Sequence, residues 1–166
     1  KYPARPDRPP VPYVSHVAGV ALLLAREGFD DEVVAAGALH DVVEDCGVTV
    51  DDVSARFGAR VAELVALVSE EDRSLPWEAR KAAYLAKFAE KPWEAQAITL
   101  ADKIDNFQSI LVCREIHGDP WAMFKRGKDA QVERFDAIER VVRALPAHPL
   151  IDEYSYLLQR VREVPA

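Results

Sequence analysis

Apolar residues recur at helical spacing from Ser15 onward, where Val17, Val20, Ala21 and Leu24 share one face, with Ser15 placed to cap the helix and Gly28 to end it. The same period runs from about Asp30 to Asp45 through Val33, Val34, Ala36 and Leu39, and Gly47 stops it. Thr49 followed three residues later by Asp52 is a carboxylate version of the capping box, opening a short helix that ends at Phe57-Gly58, and ARVAELVALVS at 59–69 forms the next one. EEDRSLP reads as a loop ahead of helices from about Trp77 to Ala89 and from Pro92 through WEAQAITLADKIDNFQSILV. Two more periodic segments, about 128–145 and, after Pro146 and Pro149, about 150–162, close the chain. No alternating strand pattern, internal repeat or glycine-rich phosphate loop interrupts the series. The pattern predicts an all-α bundle of about eight helices forming a single domain over residues 15–166. Residues 1–14 stand apart: five of the first dozen are proline, which removes backbone donors and forbids regular helix, so an extended arm is expected.

Composition narrows the class. The 166 residues, 49% hydrophobic and 30% charged, suit one hydrophobic core and exclude a disordered chain. Apolar runs such as Val17–Ala25 are broken by charge well short of a bilayer's width, and no cationic leader opens the chain, so a soluble protein without a membrane partner is expected. It starts at Lys1 without a methionine, which implies native residues ahead of it. Lys and Arg number 21 against 28 Asp and Glu, and the net charge of -7 argues against broad nucleic-acid binding. An anionic ligand must then be drawn in by a metal or a small basic cluster. Cys46 and Cys113 form neither a disulfide framework nor a paired zinc motif, which points to a reducing cytoplasm.

The chemistry concentrates in AGALHDVVEDCG. On a continuous helix His40, Asp41, Glu44 and Asp45 fall at about 0°, 100°, 40° and 140°, on one arc. Burying three like charges together is costly unless a cation or protons neutralise them. A solvated helix end fits the segment too, although acids there oppose the helix dipole. Two other segments add to it: His16 opens an apolar helix in PYVSHVAGVALLL, and Asp102, Asp105 and Asn106 share a face in ITLADKIDNFQSIL. Together these make a set of two histidines and two aspartates from three helices. Among the remaining residues, Cys46 reads as a small semi-buried side chain, His117 and His148 as exposed loop residues, and Tyr13 and Phe107 as core packing ahead of the alternative of stacking on a base. VERFDAIERVVRAL reads as a solvated amphipathic helix or an oligomer contact.

The order H, HD, D with an ED pair after the HD resembles the HD-domain metal-dependent phosphohydrolases, and within them the alarmone hydrolases, both stand-alone enzymes and the hydrolase domain of bifunctional synthetase/hydrolases. PYVSH, AAGALHDVVED, TVDDV, FGARVAELV, LPWEARK and LADKIDN mirror that family's elements in order, from about Pro12 to Asn106. The resemblance implies metal ligands His16, His40, Asp41 and Asp102, with Glu44 and Asp45 as the carboxylates that handle the water and its proton. It places Lys103 and Asn106 beside the nucleotide and Arg80 and Lys81 near the substrate phosphates. It implies Mn²⁺ as the cofactor, ahead of Fe²⁺, Zn²⁺ or Co²⁺, and a guanine nucleotide as the partner. The reaction implied is hydrolysis of guanosine 3′,5′-bis(diphosphate), ppGpp, at the 3′-pyrophosphate. The alternatives are a phosphohydrolase of 5′-nucleotides or cyclic phosphodiesters, or a non-catalytic nucleotide sensor. Two departures stand out: Arg5 and Arg8 are separated by prolines where the family has a basic pair before PYxxH, and Gln108 stands where it often has arginine.

Overall fold

The computed structural model describes residues 11–69, 76–124 and 126–165. Among these residues nine α-helices follow one another: α1 (Val14–Arg26), α2 (Asp31–Leu39), α3 (Val42–Asp45), α4 (Val50–Phe57), α5 (Ala59–Val68), α6 (Trp77–Phe88), α7 (Trp93–His117), α8 (Gly127–Val142) and α9 (Pro149–Glu163). A short 3-10 turn, Trp121–Met123, joins α7 to α8. The all-α expectation holds. The first ten residues of the expected arm, and residues 70–75 of the expected loop, lie outside the described residues. Among the described residues no helix is long and apolar enough to cross a membrane.

The expected helix from Asp30 to Asp45 is divided. Asp30 caps it as foreseen, its carboxylate accepting from the Val33 N–H at 3.0 Å. At the other end the His40 ring bonds through Nδ1 to the Gly37 carbonyl at 2.8 Å, the acceptor that the Asp41 N–H would use in a continuing helix. Asp41 then sits at φ -99°, ψ -3°, and α3 begins one residue later. Thr49 and Asp52 do form a reciprocal capping box, and Gly58 takes φ 94° between α4 and α5, a backbone conformation in which a Cβ would be strained.

Other local expectations are corrected. Ser15 does not cap α1; the helix starts at Val14, and the Ser15 hydroxyl donates to the Pro12 carbonyl at 2.8 Å. His117 is the last residue of α7, which outruns its predicted end until Gly118 stops it at φ 91°. His148 is half-buried: its Nδ1 accepts from Leu150 N–H to cap α9, and its ring meets Trp93 edge-on at 5.0 Å. Cys46 is exposed rather than semi-buried, because it caps the four-residue α3, none of whose residues is buried.

Helix α7 is the axis of the core and packs against α1, α2, α5 and α9. Ala97, Ile98, Leu100, Ala101, Ile104 and Phe107 are fully buried, so most of its circumference is apolar. Phe107 meets Phe135 of α8 and Tyr154 of α9 edge-on, at 4.8 and 5.1 Å between ring centres, as its core reading requires. Asp102, Asp105 and Asn106 occupy the face left over, toward α1 and the end of α2. There the bundle forms a cleft of about 210 Å³.

Candidate metal centre

Three elements meet at the floor of this cleft. His16 projects from the first turn of α1, His40 closes α2, and Asp102 stands mid-way along α7. The three donor atoms lie within 4.8 Å of one another, with both histidines buried. His16 Nε2 is 3.3 Å from His40 Nε2 and 3.3 Å from Asp102 Oδ1. The Nδ1 atoms of both rings are already engaged, that of His16 by Asp105 Oδ2 at 2.6 Å and that of His40 by the Gly37 carbonyl. With hydrogen on Nδ1, each neutral ring presents a bare Nε2 lone pair to the other, an arrangement that two acceptors cannot satisfy between themselves. A cation between them resolves it, and imidazole nitrogens with carboxylate oxygen suit a borderline divalent ion. His16, His40 and Asp102 can therefore hold a divalent metal.

Asp41 adjoins this group. Its Oδ2 is 3.0 Å from His40 Nε2 and 3.9 Å from His16 Nε2, and the Tyr13 hydroxyl donates to the same oxygen. The structure thus brings all four expected ligands to one place, three tightly and Asp41 at the rim. Tyr13, expected in the core, is half-exposed because its hydroxyl follows Asp41 to the cleft mouth. Burial, then the hydrogen bond and charge of Asp41, push its phenol well above the usual range, so it remains a proton donor.

The electrostatics point the same way. Burial disfavours the charged form of His40, but the Asp41 hydrogen bond and the charges of Asp102 and Asp41 outweigh it and raise its pKa. For Asp41, burial is outweighed by the hydrogen bond and charge of His40, and its pKa is lowered. The cluster attracts positive charge, and a proton on His40 competes with a metal for the same nitrogen.

Around the donors the cleft is lined by Glu44, Lys103, Asn106, Tyr84, Thr99 and Arg134. Asn106 donates to Asp102 Oδ1 at 2.6 Å and Lys103 to Asp102 Oδ2. Asp45 is exposed and Arg80 half-buried on α6; neither lines the cleft. The Lys81 side chain lies outside the described residues. Tyr84 bonds to Thr99 Oγ1 at 2.8 Å, and burial pushes its phenol up to about 12 against the opposing effect of the hydrogen bond with Thr99.

Arg134 is the residue that sequence reasoning missed. It reaches the cleft from α8, and its buried Nε has no hydrogen-bond partner among the described residues. A usable signal was present: Arg134 follows Gln131 by three and precedes Ile138 by four, both buried, so it shares the inward face of a helix otherwise read as solvated.

Residues 6–117 match the HD domain. The chain belongs to the HD-domain family. Among HD-domain relatives it is 39% identical over 110 residues to the guanosine-3′,5′-bis(diphosphate) 3′-pyrophosphohydrolase of Drosophila melanogaster, covering 65% of this chain and 61% of that protein. The human protein so named is 39% identical over 111 residues, covering 66% and 62%. The Vibrio cholerae protein of that activity is 39% identical over 105 residues, covering 60% of this chain and 15% of its own. The match thus spans about three fifths of the animal relatives. Of solved structures, a Listeria monocytogenes EGD-e protein superposes with a TM-score of 0.81 at 38% identity, covering 88% of this chain and 97% of that one. A metazoan SpoT orthologue described as hydrolysing ppGpp superposes at 0.76 and 30% identity, covering 93% and 83%.

Proposed function

We propose that this HD domain hydrolyses guanosine 3′,5′-bis(diphosphate), releasing pyrophosphate from the ribose 3′ oxygen and leaving GDP, or GTP from the pentaphosphate. The observation that carries the reading is the convergence of His16 Nε2, His40 Nε2 and Asp102 Oδ1 at the floor of a cleft that also holds Glu44, Lys103, Asn106 and Arg134. Sequence identity to hydrolases of that nucleotide supports the choice of substrate. Residues 15–166 are assigned the activity, with 1–14 leading into them, in the cytoplasm.

His16, His40, Asp41 and Asp102 are assigned to a divalent ion, Mn²⁺ by preference. When bound, the ion supplies electrophilic charge to phosphoryl oxygens and acidity to a water beside it. Glu44, on the cleft wall, takes the proton of the attacking water as general base, and exposed Asp45 tunes it from outside the cleft. The water oxygen bonds to the phosphorus next to the ribose, the bond from that phosphorus to O3′ breaks, and O3′ leaves with a proton as the free 3′-hydroxyl. Lys103 and Asn106 do double duty, orienting Asp102 and bordering the nucleotide. Arg134 brings a guanidinium whose Nε is unsatisfied among the described residues, suited to the negative charge that grows on the phosphoryl oxygens. Arg80 and Lys81 at the start of α6 are assigned to outlying phosphates.

The test is to strip the protein with a chelator, restore Mn²⁺ and supply ppGpp. Pyrophosphate and GDP in equal amounts are expected only after Mn²⁺ is restored. Intact ppGpp alongside cleavage of 5′-nucleotides or cyclic phosphodiesters would move the substrate elsewhere in the family, and tight ppGpp binding without turnover would make the protein a sensor.

A further inference from the structure

The His16 imidazole is bracketed by two carboxylates from the same helix. Asp102 Oδ1 faces its Nε2 at 3.3 Å, and Asp105, three residues further along α7, places Oδ2 against its Nδ1 at 2.6 Å. The ring carries one hydrogen when neutral, with Asp105 accepting at Nδ1, and with Asp102 and the His40 Nε2 lone pair, each at 3.3 Å, facing Nε2. Hydrogen on Nδ1 leaves the Nε2 lone pair for a metal; hydrogen on Nε2 would bond to Asp102 and block it. The shorter contact to Asp105 decides in favour of Nδ1.

Space for this carboxylate comes from the facing helix. Gly19 lies one turn after His16 on α1, and a Cβ built there would stand 2.4 Å from Asp105 Oδ1 and 3.4 Å from its Cγ. His40 needs no such device, since a backbone carbonyl already holds its Nδ1. The two ligand histidines are thus oriented by different means, one by main chain and the other by a side chain that depends on a missing Cβ.

We propose that Asp105 is a positioning residue that holds His16 in the Nδ1–H tautomer, and that Gly19 admits its carboxylate. The alternative is a plain contact that ties α1 to α7. Long-range ¹H–¹⁵N NMR of the metal-free protein reads the tautomer directly, and equilibrium binding of Mn²⁺, followed by the signal of the free ion, reads the consequence. The inference rests on His16 as a metal ligand: failure of the unaltered protein to bind Mn²⁺ would remove that assignment, whereas the tautomer in metal-free protein bears on Asp105 alone. In Asp105→Ala the hydrogen should move to Nε2 and Mn²⁺ affinity should fall about 10- to 100-fold. Asp105→Asn, which keeps a neutral acceptor, should fall between. Gly19→Ala leaves Asp105 in the chain but displaces it, and should match Asp105→Ala; in the double variant the losses should not add. Persistence of the Nδ1–H tautomer in Asp105→Ala, or Mn²⁺ affinity within about twofold of the unaltered protein in either single variant, would overturn the proposal.

Discussion

Gly37 of α2 lies so close to Leu24 of α1 that a Cβ on the glycine would stand 2.4 Å from Leu24 Cδ1. Leu24 is fully buried and cannot swing away, so the missing side chain sets how near the two helices approach. That approach brings His16 and His40 within reach of one ion. Gly37→Ala should therefore destabilise the fold by about 1–3 kcal/mol through overpacking and also weaken metal binding. Thermal unfolding in chelator and Mn²⁺ titration measure the two effects; a variant that loses stability with metal affinity intact would show that the spacing has slack.

Glu44 lines the cleft and Asp45 does not. Glu44→Gln should retain the metal and lose at least about 100-fold in kcat, the usual worth of a general base. Asp45→Asn should lose less. Steady-state kinetics on ppGpp, with metal content measured on the same samples, checks the order; equal losses would assign both carboxylates to proton transfer.

Arg134→Met removes a guanidinium from the cleft without touching a metal-donor atom. Bound metal should stay stoichiometric while kcat/KM for ppGpp drops about 10- to 100-fold, in line with a lost charge-assisted hydrogen bond. Arg134→Lys should recover part of it, since a lysine restores charge without the planar fork. Unchanged kcat/KM in both variants would return Arg134 to the fold.

Among residues that do not line the cleft, Arg162 of α9 reaches α8, with Nη2 2.7 Å from both Asp136 Oδ1 and Glu139 Oε2. Burial would raise the Glu139 pKa, but the hydrogen bond and charge of Arg162 outweigh it and lower it. A depressed carboxylate pKa contributes stability above its unfolded value and loses it as pH falls through the folded one. Arg162→Met should cost about 1 kcal/mol at pH 7, a modest figure because the arginine is partly exposed. The difference should shrink below pH of about 4. Melting curves of both proteins across pH 3–7 test it; a constant difference would make the loss one of packing.

Several of these features were legible in the chain. The capping box at Thr49 and Asp52 and the stop at Gly58 follow from local chemistry, and both stand where expected. The division of the second helix was not legible, because periodicity treats His40 as one more helical position, whereas its ring competes for the Gly37 carbonyl. The same ring faces α1, where His16 Nε2 lies 3.3 Å from its own Nε2. The four expected ligands share the cleft floor although the arc drawn on an unbroken helix does not survive. Tyr13 and Arg134 escaped for a related reason: each is defined by what another helix brings to it.

Because α7 is at once the axis of the core and the floor of the cleft, its length admits no drift. One residue inserted ahead of Asp102 would turn everything after it by about 100°, carrying Asp102 and Asp105 off the face of α1 while swinging Phe107 away from Phe135 and Tyr154. Folding and chemistry would fail together. Insertions and deletions in relatives of this chain should accordingly collect at the ends of α7 and in the segments that join helices, leaving the interval from Ala95 to Cys113 constant in length.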